Sequence, residues 1–367
     1  MKKLFAFIMC CVITLSFGAC SRGNNGTTEP TQTTPAPTEP TQEVTLALSD
    51  DVKKEIEDVL EDFEGIVYLT QNGNLIYSKA TGKDENGADL TVESPMYIGS
   101  VSKQFCATAI MLLKEQGKLS VDDTLDKYFP EYELGKYVTI KNLLSMRSGI
   151  PEMLAGIKGH SADKTESENI AIIKDWIFEQ DFENYDPDTY MEYSNTNYFL
   201  LGLIVEMVSG QHYNDFVREN IFEPLSMDHT GFVNEVKDNP FFSKSLTYNT
   251  FTNGEDAEGL TKGAGDVVST AVDMDKWMTA LRSGKIVSEE SYNEMITNHS
   301  PGYGEPYGYG LMGMHKNGTG HTGGIGDYVS VNYFNEEYGY NLFAVTTESP
   351  DVVVSLPYEL INILVGD

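Results

Sequence analysis

Positive charge is scarce in this chain: 25 Lys and Arg stand against 56 Asp and Glu, a formal net charge of −31. So acidic a protein has no electrostatic footprint for nucleic acid or for an anionic lipid surface, and neither is expected as a partner. Cysteine is as sparse. Of four residues, Cys10 and Cys11 lie in the N-terminal apolar stretch, Cys20 follows it, and only Cys106 remains downstream. No disulfide framework is available, and a lone thiol on an apolar helix with nothing nearby to lower its pKa reads as a buried structural residue. The six His are scattered, with no His-Glu-x-x-His and no close ligand cluster. No metal and no cofactor are therefore expected, and a zinc hydrolase is set aside. Asp84-Glu-Asn-Gly-Ala-Asp89 lacks the spacing and the closing glutamate of a calcium loop and reads as a turn.

The N-terminus is organised differently from the rest. Met1-Lys-Lys precedes the apolar run Leu4 to Phe17, a charged segment and a hydrophobic segment too short to read as a spanning helix. Ser16-Phe-Gly-Ala-Cys20 resembles a lipoprotein cleavage box, so residues 1–19 are expected to be a signal peptide and Cys20 to carry lipid. Ordinary secretion is the alternative. Residues 20–45 are rich in Thr and Pro and nearly devoid of apolar side chains through Gln42, the composition of a disordered tether. The expected location is extracytoplasmic, anchored by lipid to a bacterial cell membrane. Residues 46–367 then form one domain. At about 320 residues it exceeds a single core, and without an internal linker it should consist of two interlocked subdomains.

Three short motifs carry the chemistry. Ser100-Val-Ser-Lys103 follows a short extended segment and Gly99, and opens a helical pattern that runs from Val101 to Gly117. Ser100 is thus placed at a helix N-terminus, where free N–H groups favour developing negative charge, and Lys103 at i+3 shares its face. A lysine buried there can lose its charge and act as a base. Tyr193-Ser-Asn195 lies in a loop before an apolar helix ending at Gly210. A tyrosine beside a cationic lysine is expected to have a lowered pKa and to pass the proton to the leaving group, and Asn195 to donate to a substrate carbonyl. His321-Thr-Gly323 follows a glycine-rich turn and leads into an alternating run, 328–334, and then the run 340–347, which read as antiparallel strands. The glycines admit a substrate close to the backbone, and the N–H groups of Ser100 and Gly324 make a candidate oxyanion hole.

Each motif has a second copy, and context separates them. Ser161-Ala-Asp-Lys164 lies in a polar, aperiodic stretch, Tyr333-Phe-Asn335 ends a strand pattern, and His229-Thr-Gly231 reads as a turn after a helix. The run Tyr303 to Gly310 fits either the rim of a cleft or the start of a strand.

In this order and spacing, the chosen motifs resemble those of the serine beta-lactamase and penicillin-binding-protein superfamily, more narrowly its class C beta-lactamase-like branch with D-alanyl-D-alanine carboxypeptidases and esterases. Leu119–Pro130, Leu143-Leu-Ser-Met-Arg-Ser-Gly-Ile-Pro151 and Gly263-Ala-Gly-Asp-Val-Val-Ser-Thr-Ala271 are similar to family stretches as well. The resemblance implies Ser100 as acylated nucleophile, Lys103 as its activating partner and Tyr193 as general acid/base. Asn195, His321, Thr322 and Gly323 would line the substrate site. It implies an α+β fold in which strands from both ends of the chain form one antiparallel sheet flanked by terminal helices, with an all-helical lobe between and the site at their junction.

Two positions depart from the pattern. Histidine at 321 replaces the lysine usual in class C enzymes, which favours a D-alanyl peptidase or esterase over a beta-lactamase proper. A histidine titrating near 6.5 would grip a substrate carboxylate less firmly as pH rises. Arg147 stands where a small residue or threonine is commoner, and pairing with a surface acid is favoured over a carboxylate anchor. The expected function is a membrane-tethered serine hydrolase of amide, lactam or ester bonds acting on a small-molecule or peptide substrate. A beta-lactamase, or a non-catalytic sensor of penicillin or cell-wall peptide, stands as the alternative.

Overall fold

The computed structural model describes residues 48–182, 186–246, 258–300, 306–348 and 350–366. The expected signal peptide, Cys20 and the tether lie outside the described residues, as does the first part of the Tyr303–Gly310 run.

In chain order the elements are α1 Asp50–Val59, β1 Gly65–Gln71, β2 Asn74–Thr81, β3 Met96–Tyr97, α2 Lys103–Glu115, α3 Ile140–Leu144, α4 Glu166–Phe178, α5 Asn195–Ser209, α6 Tyr213–Val217, β4 Gly231–Phe232, β5 Val267–Ser269, α7 Ala271–Arg282, α8 Glu289–Ile296, β6 Met312–Gly313, β7 Thr319–Ile325, β8 Tyr328–Phe334, β9 Tyr340–Thr346 and α9 Pro350–Val365. Strands from both ends of the chain pair as expected, in one antiparallel sheet of order β2-β1-β9-β8-β7-β6. Residues alternate across it with the period of two that a pleated strand imposes. Val67, Leu69, Leu342 and Ala344 pack with Ile56 and Leu60 at α1 and with Leu356 and Leu360 of α9. Ile66, Phe343 and Val345 face the main core on the other side, with Phe105 and Trp277. Both faces of β9 are covered, which is why all seven of its residues are buried.

Between the terminal strands the chain is mainly helical. It also carries a small three-stranded sheet, β3-β5-β4, which the periodicity did not reveal because its strands are only two or three residues long. This sheet fixes the segment before the nucleophile: Tyr97 pairs with Val268, and Ile98 N–H donates to Val267 O at 3.2 Å.

Among the described residues no helix is long and apolar enough to cross a membrane. The second motif copies sit where their contexts placed them. Ser161 and Lys164 close a turn, Tyr333 lies near the end of β8, and His229 follows the turn after Glu223–Leu225 with its ring stacked on Phe241. Asp84 closes a turn by accepting from the N–H groups of Asn86 and Ala88.

Candidate active site

Ser100 lies in a 3-10 turn, Gly99–Ser102, that runs directly into α2. Gly99 makes this possible. Its φ is +51°, the left-handed region that favours glycine, and a Cβ there would fall 2.7 Å from Gly324 N. Gly323 is pressed as closely, since its Cβ would meet Ile98 O at 2.0 Å. The two backbones therefore touch, and Ser100 is brought beside Gly324, whose own Cα faces open space. This is the arrangement that a pair of oxyanion-hole N–H donors requires.

A buried polar cluster holds α2 to the sheet. Gln104 and Asn332 exchange amide hydrogen bonds at 2.7 and 3.0 Å, Trp277 Nε1 donates to Gln104, and His321 N–H donates to Asn332 Oδ1 at 2.9 Å. The helix that carries Lys103 and the strand that carries His321 thus share one set of satisfied polar groups.

Lys103 is fully buried. Its Nζ stands 3.0 Å from Ser100 Oγ, 2.7 Å from Asn195 Oδ1 and 2.6 Å from Ala264 O. Two of these partners are carbonyl oxygens that only accept. A neutral amine satisfies both with its two N–H groups and keeps its lone pair for the Ser100 hydroxyl. Desolvation pushes the Lys103 pKa down to about 7, opposed by the charges of Glu152 and then Cys106 and Asp266. The sequence-based expectation of a lysine stripped of charge by burial is met.

The expected lowering of the Tyr193 pKa is not. Desolvation raises it well above the ordinary phenol value, a hydrogen bond with Ser100 lowers it, and the charge of Glu152 raises it further. With its own pKa at about 7, Lys103 is only partly cationic there and does not offset the desolvation of a phenolate, so Tyr193 stays protonated. The residue is 36% exposed, and Lys103 Nζ lies 4.9 Å from its ring centroid.

His321 also departs from expectation. It is 1% exposed. Its Nδ1–H donates to Thr322 O, and its Nε2 accepts from the Tyr307 hydroxyl at 3.1 Å. Burial, followed by the positive charge of Lys103, pushes its pKa down to about 3. The ring is a neutral wall 6.1 Å from that of Tyr193, and the titrating grip on a carboxylate does not hold. Arg147 is engaged as favoured, with Nη1 3.0 Å from Asp188 Oδ1 and 2.9 Å from His299 O. Thr322 is half-buried in β7 opposite Val331. Cys106 is buried with its pKa pushed up by desolvation, an inert thiol.

Sequence reasoning missed three groups. The Ala264 carbonyl belongs to a stretch that carried only a resemblance. Tyr307 lies in the ambiguous aromatic–glycine run. Glu152 directly follows Pro151, and its Oε2 accepts from Asn195 N–H at 2.6 Å and from Asn195 Nδ2 at 3.2 Å. Ser100, Asn195, Ala264, Gly265 and Gly324 line a cavity of about 60 Å³ closed by Met153, Leu154, Leu260, Thr261 and Ile325. A larger hollow of about 660 Å³ lies at the Gly65–Thr81 end of the sheet, has six acids in its lining, and contains none of the motif residues.

A buried lysine on a serine, a tyrosine and a glycine-lined strand edge meet at one place, and comparison with known proteins gives the family. Residues 52–361 match the family model described as Beta-lactamase. The chain belongs to this family, the serine hydrolases of the beta-lactamase and penicillin-binding-protein fold. It is 32% identical over 255 residues to a Bacillus subtilis (strain 168) protein named as penicillin-binding protein PbpX, covering 68% of this chain and 62% of that one. It is 28% identical over 287 residues to the teichoic acid D-alanine hydrolase of Staphylococcus aureus (strain MRSA252), covering 75% and 68%. Among solved structures it is similar to the D-amino acid amidase of Ochrobactrum anthropi SV3, with a TM-score of 0.71 at 26% identity over 86% of this chain and 99% of the other.

Proposed function

We propose that the protein is an extracytoplasmic serine hydrolase that cleaves small D-aminoacyl esters or amides through an acyl-enzyme on Ser100. The observation that carries this reading is the contact between Lys103 Nζ and Ser100 Oγ at 3.0 Å, with the lysine fully buried. In acylation, Ser100 Oγ attacks the substrate carbonyl carbon while its proton passes to the neutral Lys103 amine. The N–H groups of Ser100 and Gly324 hold the developing oxyanion. The Tyr193 phenol, hydrogen-bonded to Ser100, gives a proton to the leaving alcohol or amine and is reprotonated from Lys103. Water then attacks the ester carbon by the same relay in reverse, releasing the D-amino acid and restoring Ser100.

The substrate class follows from charge. Neither Arg147 nor His321 presents a free positive charge, whereas Glu152 sets a carboxylate beside Asn195. Such a site suits an acyl group without a carboxylate next to the scissile bond better than a peptide ending in one. The names of the relatives, a D-alanine hydrolase and a D-amino acid amidase, point the same way. Residues 1–19 are read as a signal peptide, Cys20 as the lipidated residue, and residues 20–45 as the tether that holds the domain of residues 46–367 to the membrane.

Intact-mass spectrometry of the native chain and of Ser100→Ala, each mixed with a D-alanyl ester and separately with a penicillin, tests the reading. The expected result is ester turnover by the native protein alone, with a transient mass increase on Ser100. Rapid penicillin turnover without ester cleavage would make it a beta-lactamase, and a stable penicillin adduct with no turnover of either compound would make it a sensor.

A further inference from the structure

Glu152 belongs to none of the three motifs, yet its carboxylate is hydrogen-bonded to Asn195, whose Oδ1 meets Lys103 Nζ. The loop that carries it is stapled to the start of α5: Thr196 Oγ1 donates to Pro151 O at 2.7 Å and accepts from Met153 N–H at 2.8 Å. Ser194, in the N-cap position of α5, makes no capping bond with its side chain. The free N–H at this helix end is met from another loop, by Glu152 Oε2 on Asn195 N–H, and a carboxylate suits the positive end of the helix dipole. The other oxygen, Oε1, accepts from Leu154 N–H at 2.8 Å and holds the carboxylate in place.

The same carboxylate decides which way the Asn195 amide points. With Nδ2 on Glu152, Oδ1 is turned to Lys103 Nζ. A flipped amide would set Oδ1 against a carboxylate oxygen, a repulsive contact, and turn Nδ2–H to the amine, where it would compete with Ser100 for the lone pair. With Oδ1 and Ala264 O both accepting from the amine, its lone pair is directed at Ser100.

We propose that Glu152 is a positioning residue of this site: its carboxylate locks the Asn195 amide with the oxygen toward Lys103, and its negative charge sets the field in which that amine works. The inference rests on the reading of Ser100 as nucleophile. Lys103 is faced by Cys106 on its own helix, by Tyr193, Asn195 and Tyr198 at α5, by Ala264 O and Asp266 on the segment before β5, and by His321 on β7. Burial holds the thiol and both phenols protonated and the imidazole neutral. Asp266 is pushed up to about 7 by burial. The Glu152 charge is the largest of those opposing the desolvation of Lys103.

The test is the pH profile of Ser100 labelling by a fluorophosphonate ester, measured on the native chain, Glu152→Gln, Glu152→Asp and Ser100→Ala, with circular dichroism to confirm folding. Gln keeps the shape and removes the charge, so Lys103 should lose its proton more readily. The ratio of labelling rates at pH 6 and pH 8 should rise roughly two- to fivefold, the range for an acid limb moved down by half to one unit. Asp keeps the charge on a shorter arm, so its limb should stay in place while the rate falls at every pH. A Glu152→Gln protein with the native limb and rate would overturn the proposal. Labelling that survives Ser100→Ala would overturn the nucleophile assignment itself, and the role of Glu152 with it.

Discussion

Burying Lys103 should make folding stability depend on pH in a way that one substitution isolates. The amine is fully buried, and desolvation, the first of the causes acting on it, pushes its pKa to about 7 from an ordinary 10.5. Between those values the unfolded chain holds a proton here that the folded chain has released, so stability rises with pH. The penalty is complete below pH 7 and relieved above 10.5. At ~1.4 kcal/mol per unit, the separation amounts to about 5 kcal/mol in all, of which about 2 kcal/mol falls between pH 7 and pH 9. Lys103→Met keeps an unbranched chain of similar length and removes the titration. It leaves Ser100 Oγ, Asn195 Oδ1 and Ala264 O without their partner, an offset that does not depend on pH. Urea unfolding of both proteins across this range gives the difference in unfolding free energy, from which groups that do not feel Lys103 cancel; Asp266, whose carboxyl pKa the Lys103 charge lowers, adds to the growth with the same sign. That difference, native minus variant, should grow by about 2 kcal/mol from pH 7 to pH 9. The variant should also lose Ser100 acylation. Parallel stability curves would mean that the amine keeps its proton in the folded state, and the general-base role of Lys103 would go with them.

Two further outcomes follow from the geometry. Gly99→Ala puts a Cβ 2.7 Å from Gly324 N at a φ of +51°. It should cost at least about 1–2 kcal/mol in thermal unfolding and, by displacing the oxyanion N–H, lower the acylation rate about 10²–10³-fold. A variant with native kinetics would remove Gly324 from the oxyanion hole. In ring-proton NMR, His321 should not titrate between pH 5 and pH 8, since its pKa is held to about 3. His212, raised first by its hydrogen bond to Glu166, should keep its proton to higher pH than an ordinary histidine. A His321 signal titrating near 6.5 would restore the cationic anchor for a substrate carboxylate.

What could be read from the sequence is what local spacing encodes. Ser100 and Lys103 are one helical turn apart, so their contact needs only the helix. The apolar runs after Asn195 and from Tyr340 and the alternating run from Tyr328 announce α5, β9 and β8. Glu152 has no such signature. It reaches Asn195 because Thr196 staples its loop to α5, a meeting of residues 43 apart. The buried Lys262, which bridges Glu166 of α4 and Glu206 of α5, was illegible for the same reason.

Protonation was the least legible property, because it belongs to the enclosure and not to the residue. His321 was read by its free-solution pKa, yet the ring lies under Tyr307 and close enough to Lys103 to feel its charge. Tyr193 was read as the neighbour of a cation, yet the same burial that makes Lys103 a base removes that cation near pH 7. The two readings could not both hold. A lysine that surrenders its proton to serve Ser100 cannot also stabilise a phenolate, so an acid–base pair at this site requires the tyrosine to stay protonated. On the proposed reading, the division of labour between Lys103 and Tyr193 is set by desolvation at the junction between α2, α5 and β7. A substitution that wets this junction should raise the Lys103 pKa and lower that of Tyr193 together, even where it touches neither side chain.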